Sequence, residues 1–196
     1  AQWVVLAYLL AITTLVVSVG RLGDLFGPRR LMLAGIAIFT VASVLCAVAP
    51  ELWMLIAARA LQGFGAAVMM ALSMALVGKV VASERSGTAM GLLGTMSAIG
   101  TALGPTLGGT LIAASGWQAI FLINLPLGLL AMALAWRHLP ADPAASRANP
   151  AAFDWQGSLL LALTLSAYAL AMTVGRGHAG PWNGALLGIA VLGVGL

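Results

Sequence analysis

Apolar residues fall along this chain in blocks close to the roughly 20 residues an α-helix needs to cross a bilayer. Short polar or glycine-bearing breaks separate them. The first block runs from Trp3 to Gly20, and a second, from Leu31 to Ala49, follows the charged, glycine-bearing stretch Arg21 to Arg30. After Pro50 and Glu51 a third block extends from about Leu52 to Val77, with one internal charge, Arg59, and ends at the polar stretch Gly78 to Arg85. A fourth, glycine-rich block covers about Gly87 to Ala114. A fifth, from about Ile120 to Trp136, follows Ser115-Gly116-Trp117. Residues 137–154 hold prolines and alanines around four charges, the pattern of a linker. A sixth block, Trp155 to Val174, a glycine-rich turn with Pro181 and a seventh block from Gly184 complete the pattern. It predicts an all-α polytopic membrane protein of about seven transmembrane helices, the last one truncated.

Composition agrees, with 62% hydrophobic and 7% charged residues against about a quarter charged in soluble domains. The net charge of +4 does not indicate nucleic acid, because the basic residues are scattered among membrane-length segments and form no stripe. They report topology instead. Alternate breaks hold Arg21, Arg29 and Arg30, then Lys79 and Arg85, then Arg137 and Arg147, whereas the opposite breaks hold only Arg176. The first helix of the chain is therefore expected to start outside and end in the cytoplasm, which implies one further helix upstream. Trp3, Trp53, Trp117, Trp136, Trp155 and Trp182 fall near block ends, as in an interfacial aromatic belt. Cys46, the single cysteine, lies inside an apolar block and reads as a small buried residue.

Three constellations can carry chemistry. Arg59 is the only ionisable residue well inside a block, at an insertion cost of at least about 2.5 kcal/mol. With Gly63, Ala67, Ala71 and Ala75 it forms a stripe of small residues at fourfold spacing, which lets a neighbouring backbone approach. No acid lies within any block, so its counter-ion is expected on a segment outside this chain; snorkelling to the outer interface is the alternative. Gly100, Gly104 and Gly108, with Pro105 and Gly109 interposed, bare one helix face, and Pro105 removes a hydrogen bond to the Thr101 carbonyl. A kinked, closely packed helix is expected, and packing alone also accounts for the stripe. Gly20, Gly23, Asp24, Gly27 and Pro28 with Arg29 and Arg30 read as a tight cytoplasmic turn with a carboxylate near two arginines, or as an ordinary solvated loop. Gly78-Lys79 lacks the glycine spacing and the hydroxyl of a phosphate-binding loop. His138 and His178 lie at block edges. The chain has no feature of an enzyme, and no cofactor is expected.

Taken together these stretches resemble the major facilitator superfamily, in particular its fourteen-helix drug/proton antiporter branch. The segment Gly20 to Arg30 is similar to the signature between the family's second and third helices, keeping Gly20, Asp24, Gly27 and Arg29 and departing at Leu25 and Pro28, where basic residues are usual. Leu55, Arg59, Gln62, Gly63, Gly65, Ala66 and Ala67 resemble the fourth-helix pattern, and Gly100, Gly104, Pro105, Gly108 and Gly109 the fifth-helix antiporter motif. Trp117, Ile120, Phe121, Asn124, Pro126 and Gly128 resemble the segment entering the sixth helix.

The resemblance implies a partial major facilitator fold. Residues 1–136 would be the amino-terminal bundle, helices two to six of the family, 137–154 a cytoplasmic linker, and 155–196 extra helices between the two halves. It also implies a multi-pass protein of the inner or plasma membrane that exports amphipathic, often cationic, toxic compounds in exchange for protons. Alternatives are an exporter of an endogenous metabolite, a nutrient symporter, or a fragment inactive alone. Its partners would be the lipid bilayer, the small-molecule substrate, protons and a carboxy-terminal half of the same protein. Asp24 and the nearby arginines would hold the cytoplasmic gate, Arg59 with Gln62 and Gly63 would couple to protons, and the glycine face with Pro105 would form a hinge or seal.

Overall fold

The computed structural model describes residues 2–142 together with 163, 164 and 167. Residues 143–154 of the expected linker, and the sixth and seventh blocks save those three positions, lie outside the described residues. Within residues 2–142 the chain forms six α-helices joined by short connections: α1 (Gln2–Phe26), α2 (Pro28–Val48), α3 (Leu52–Val80), α4 (Ser83–Ser115), α5 (Ala119–Leu122) and α6 (Asn124–His138). The spans Pro28–Val48, Leu52–Gly78, Ser83–Ser115 and Ala119–His138 are each long and apolar enough to cross a membrane, and α1 adds the apolar stretch Trp3–Val16. In lipid a helix satisfies its own backbone. The hydroxyls of Thr13, Thr14, Thr40, Ser43 and Ser73 do likewise by donating to carbonyls four residues back.

The expected turn from Gly20 to Arg30 is corrected. Helix α1 continues through Arg21-Leu22-Gly23-Asp24-Leu25-Phe26, and the connection to α2 is Gly27 alone, at φ 90°. Two features explain this. Gly23 lets α1 run on against α3, since a Cβ there would come within 2.6 Å of Leu72 Cδ2. Pro28 at the start of α2 has no N–H to lose and a φ already suited to a helix. Gly20 and Asp24 are thus helical rather than loop residues, and Arg29 and Arg30 belong to the first turn of α2.

The fifth block is also divided, with a break at Ile123 between α5 and α6. Pro126 cannot donate to the Leu122 carbonyl, so the ladder is interrupted at that point. Gly116, at φ 81°, ends α4 with its N–H on the Ile112 carbonyl.

Helix α3 is central, packing extensively on both α1 and α2, with α6 against the other side of α2. Its glycines set the approach. A Cβ on Gly63 would lie 2.6 Å from the Tyr8 carbonyl oxygen of α1, and one on Gly65 would lie 2.6 Å from the Phe39 nitrogen of α2. One apolar cluster, Val19, Val68, Leu72 and Leu76, fills the bundle toward the end where α1 meets α2, and another, Cys46, Ala47, Ala58 and Phe121, fills the opposite end. Outward-facing Val41, Leu45, Val48, Met70 and Met74 are exposed, as a lipid-facing surface requires.

Candidate functional site

Between the two apolar clusters, along α3, lies a polar network. Gln62 is 2% exposed and Ser43 of α2 is fully buried. Arg59 Nη1 donates to Gln62 Oε1 at 2.7 Å, Gln62 Nε2 donates to Ser43 Oγ at 2.7 Å, and Ser43 Oγ donates to the Phe39 carbonyl at 2.8 Å. Asn124 Nδ2 of α6 reaches the same hydroxyl at 3.4 Å. The network therefore joins three helices through one serine.

The arginine itself is half-buried, and no carboxylate among the described side chains pairs with it. Its Nε donates to the Val4 carbonyl at 3.2 Å. Its guanidinium carbon lies 4.2 Å from the centroid of the Tyr8 ring and 5.7 Å from that of Phe121, both within the range of cation–π attraction. Phe121 is in turn edge-on to Trp117, with ring centroids 6.2 Å apart. The guanidinium is thus turned into the bundle, between aromatic faces, and does not snorkel along a lipid-facing surface. Two of its five N–H donors are used within the described residues, which leaves three to meet a further acceptor. Gly63, one turn along, places the α1 backbone beside it.

A second constellation joins the start of α2 to the end of α6. The Asp142 carboxylate, on the segment after α6, accepts from the backbone N–H groups of Arg29, at 2.9 Å, and Arg30, at 3.1 Å. These are donors that a helix start leaves unsatisfied, and a carboxylate there also meets the positive end of the helix dipole. Arg29 Nη2 donates to the Trp136 carbonyl at 2.7 Å. A Cβ on Gly27 would lie 2.5 Å from Asp142 Cγ, so the glycine answers both to the positive φ and to the docked carboxylate. A cavity of about 370 Å³ opens beside this clasp, lined by Arg29, Arg30, Leu33, Trp136, Ala141 and Asp142. The side chain of Asp24 lies outside the described residues. Asp142 has no counterpart among the residues singled out from the sequence, because an acid in a linker signals nothing until the helix start it caps is known.

The third constellation differs from expectation. Pro105 lies inside the 33-residue α4, none of whose residues is buried. Among the described residues no neighbouring element places an atom within 4 Å of where a Cβ would stand on Gly100, Gly104, Gly108 or Gly109. Helix α4 makes its sizeable contacts only with α3 and α5 among the described elements, so the glycine face is bare but unpacked there. Of the aromatic and amide groups in the network around Arg59, Gln62, Phe121 and Asn124 had entered only through the resemblance. Tyr8 and Ser43 were not singled out, since an aromatic or a serine in an apolar block is ordinary.

A family model described as the Major Facilitator Superfamily matches residues 1–196. The Multidrug resistance protein B homolog of Mycobacterium tuberculosis is 40% identical over 166 residues, 85% of this chain and 30% of the relative. The Multidrug resistance protein Stp of the same species is 37% identical over 175 residues, 89% of this chain and 32% of the relative. The Riboflavin transporter RibZ of Clostridioides difficile is 38% identical over 171 residues, 87% of this chain and 37% of the relative. The chain spans about a third of the length of the curated relatives it matches.

Proposed function

Because this chain belongs to the major facilitator superfamily, a family of multi-pass membrane transporters, we propose that it is part of a proton-coupled exporter of drugs or other amphipathic, often cationic compounds. What carries the reading is the setting of Arg59. A cation held inside a membrane bundle by a glutamine, a carbonyl and two ring faces, with three donors unused among the described residues, is poised to pair with a carboxylate when that acid is ionised and to release it when protonated. Such an acid is expected on a helix outside this chain. Its protonation would then be linked to which side of the membrane a midplane site faces, in the alternating access of two transporter halves. The cytoplasmic clasp at Gly27, Arg29 and Arg30 would belong to the gate on that side, and the open glycine face of α4, with Pro105, would meet the other half.

Names of two relatives as multidrug resistance proteins support a drug as substrate. A relative named a riboflavin transporter favours a second reading, transport of an endogenous metabolite on the same scaffold.

Acidified inside-out vesicles carrying the full-length protein test the first reading. Cationic dyes are expected to trigger proton release, and Arg59→Ala to abolish it. Absence of release from correctly inserted protein would sink drug/proton antiport and leave the metabolite reading.

A further inference from the structure

A serine hydroxyl has one hydrogen. In Ser43 it is directed to the Phe39 carbonyl, at 2.8 Å, so the oxygen can only accept from its other neighbours. Those neighbours are the amides of Gln62, at 2.7 Å, and Asn124, at 3.4 Å. A primary amide that turns its NH₂ toward Ser43 must turn its carbonyl the other way, and that carbonyl meets Arg59, a side chain with donors only. The reversed amide would set NH₂ against the guanidinium and a carbonyl against an oxygen with no hydrogen left to give. Only one orientation of Gln62 is therefore compatible with the buried network, and Ser43 selects it.

We propose that Ser43 is a positioning residue for Arg59: it polarises and orients Gln62, whose carbonyl in turn holds the guanidinium where it would meet the acid proposed above. The chain of bonds runs in one direction, from Arg59 through Gln62 and Ser43 to the backbone of α2. Asn124 ties the same hydroxyl to α6, so that a shift of α6 against α2 is transmitted to Arg59. The consequence for transport rests on the proton-coupling role proposed above; the orientation of the arginine does not.

The full-length protein reconstituted in proteoliposomes, with Ser43→Ala, Gln62→Leu and the double variant, provides the test. A hydrogen bond that serves a charged group corresponds to about a tenfold change in rate. Each single variant is expected to lower the maximal rate of proton-driven ethidium transport by about that factor, with the half-saturating dye concentration unchanged. The double variant should be no slower than the slower single one, because both break the same relay. Multiplying losses, or losses carried by the half-saturating concentration, would overturn the proposal.

Independently of transport, protein labelled with ¹⁵N in its arginine guanidinium groups gives an Arg59 resonance, identified by its disappearance in Arg59→Ala. That resonance is expected to move in Ser43→Ala and in Gln62→Leu alike, and an unmoved resonance in Ser43→Ala refutes the relay. A wild-type protein that moves no protons would defeat the coupling role while the resonance still judged the positioning.

Discussion

Gly63 and Gly78 lie on the same helix and have opposite obligations. At Gly63 a Cβ would lie 2.6 Å from the Tyr8 carbonyl oxygen and 2.7 Å from the Ala11 Cβ, a clash with backbone rather than with the end of a flexible side chain. At Gly78 no described neighbouring element comes within 4 Å. Overpacking costs about 1–3 kcal/mol, whereas alanine in an exposed helical position gains up to about 1 kcal/mol over glycine. Gly63→Ala is therefore expected to lower the thermal unfolding temperature of the purified protein, and Gly78→Ala to leave it unchanged or raise it. A fall of equal size for both would contradict the close approach of α1 and α3. The same residue-scale reasoning explains Arg59. It was conspicuous in the sequence because charge in an apolar block demands compensation, but the compensating groups were not, since Val4 lies 55 residues away and carries the acceptor on its backbone.

At the scale of the element, the start of α2 is held by a carboxylate 113 residues further along the chain. Capping of this kind contributes about 0.5–2 kcal/mol, so Asp142→Ala should raise hydrogen exchange of the Arg29 and Arg30 amides by roughly 2- to 30-fold, and Asp142→Asn by less, because its carbonyl still accepts. Exchange that is unchanged in the alanine variant would show that solvent or another group satisfies those donors. The helix boundaries teach a related point. Glycines and charges between Gly20 and Arg30 suggested a tight turn, yet helical backbone tolerates both, and what ended α1 was the single residue whose conformation left the helical region, Gly27. Proline told more: Pro28 marked a helix start and Pro126 followed a break.

For the whole molecule, the bias of basic residues and the packing agree. The ends of α1, α3 and α6 and the starts of α2 and α4 carry the lysine and arginine excess, and the clasp joining Arg29, Trp136 and Asp142 requires the start of α2 and the end of α6 to lie on one side. With the buried Cys46 replaced by alanine, a cysteine at Gln118 is expected to react with an impermeant maleimide in intact cells, and one at Ser83 only after permeabilisation. The reverse pattern would invert the topology and with it the placement of the gate. The membrane-length apolar helices within residues 2–142 were legible in the sequence, because hydropathy acts locally, residue by residue against lipid and water. The partners of Arg59, the role of Ser43 and the capping by Asp142 were not, because they arise where helices distant in the chain come within hydrogen-bonding distance, and that proximity is set by which small residues let which backbones meet.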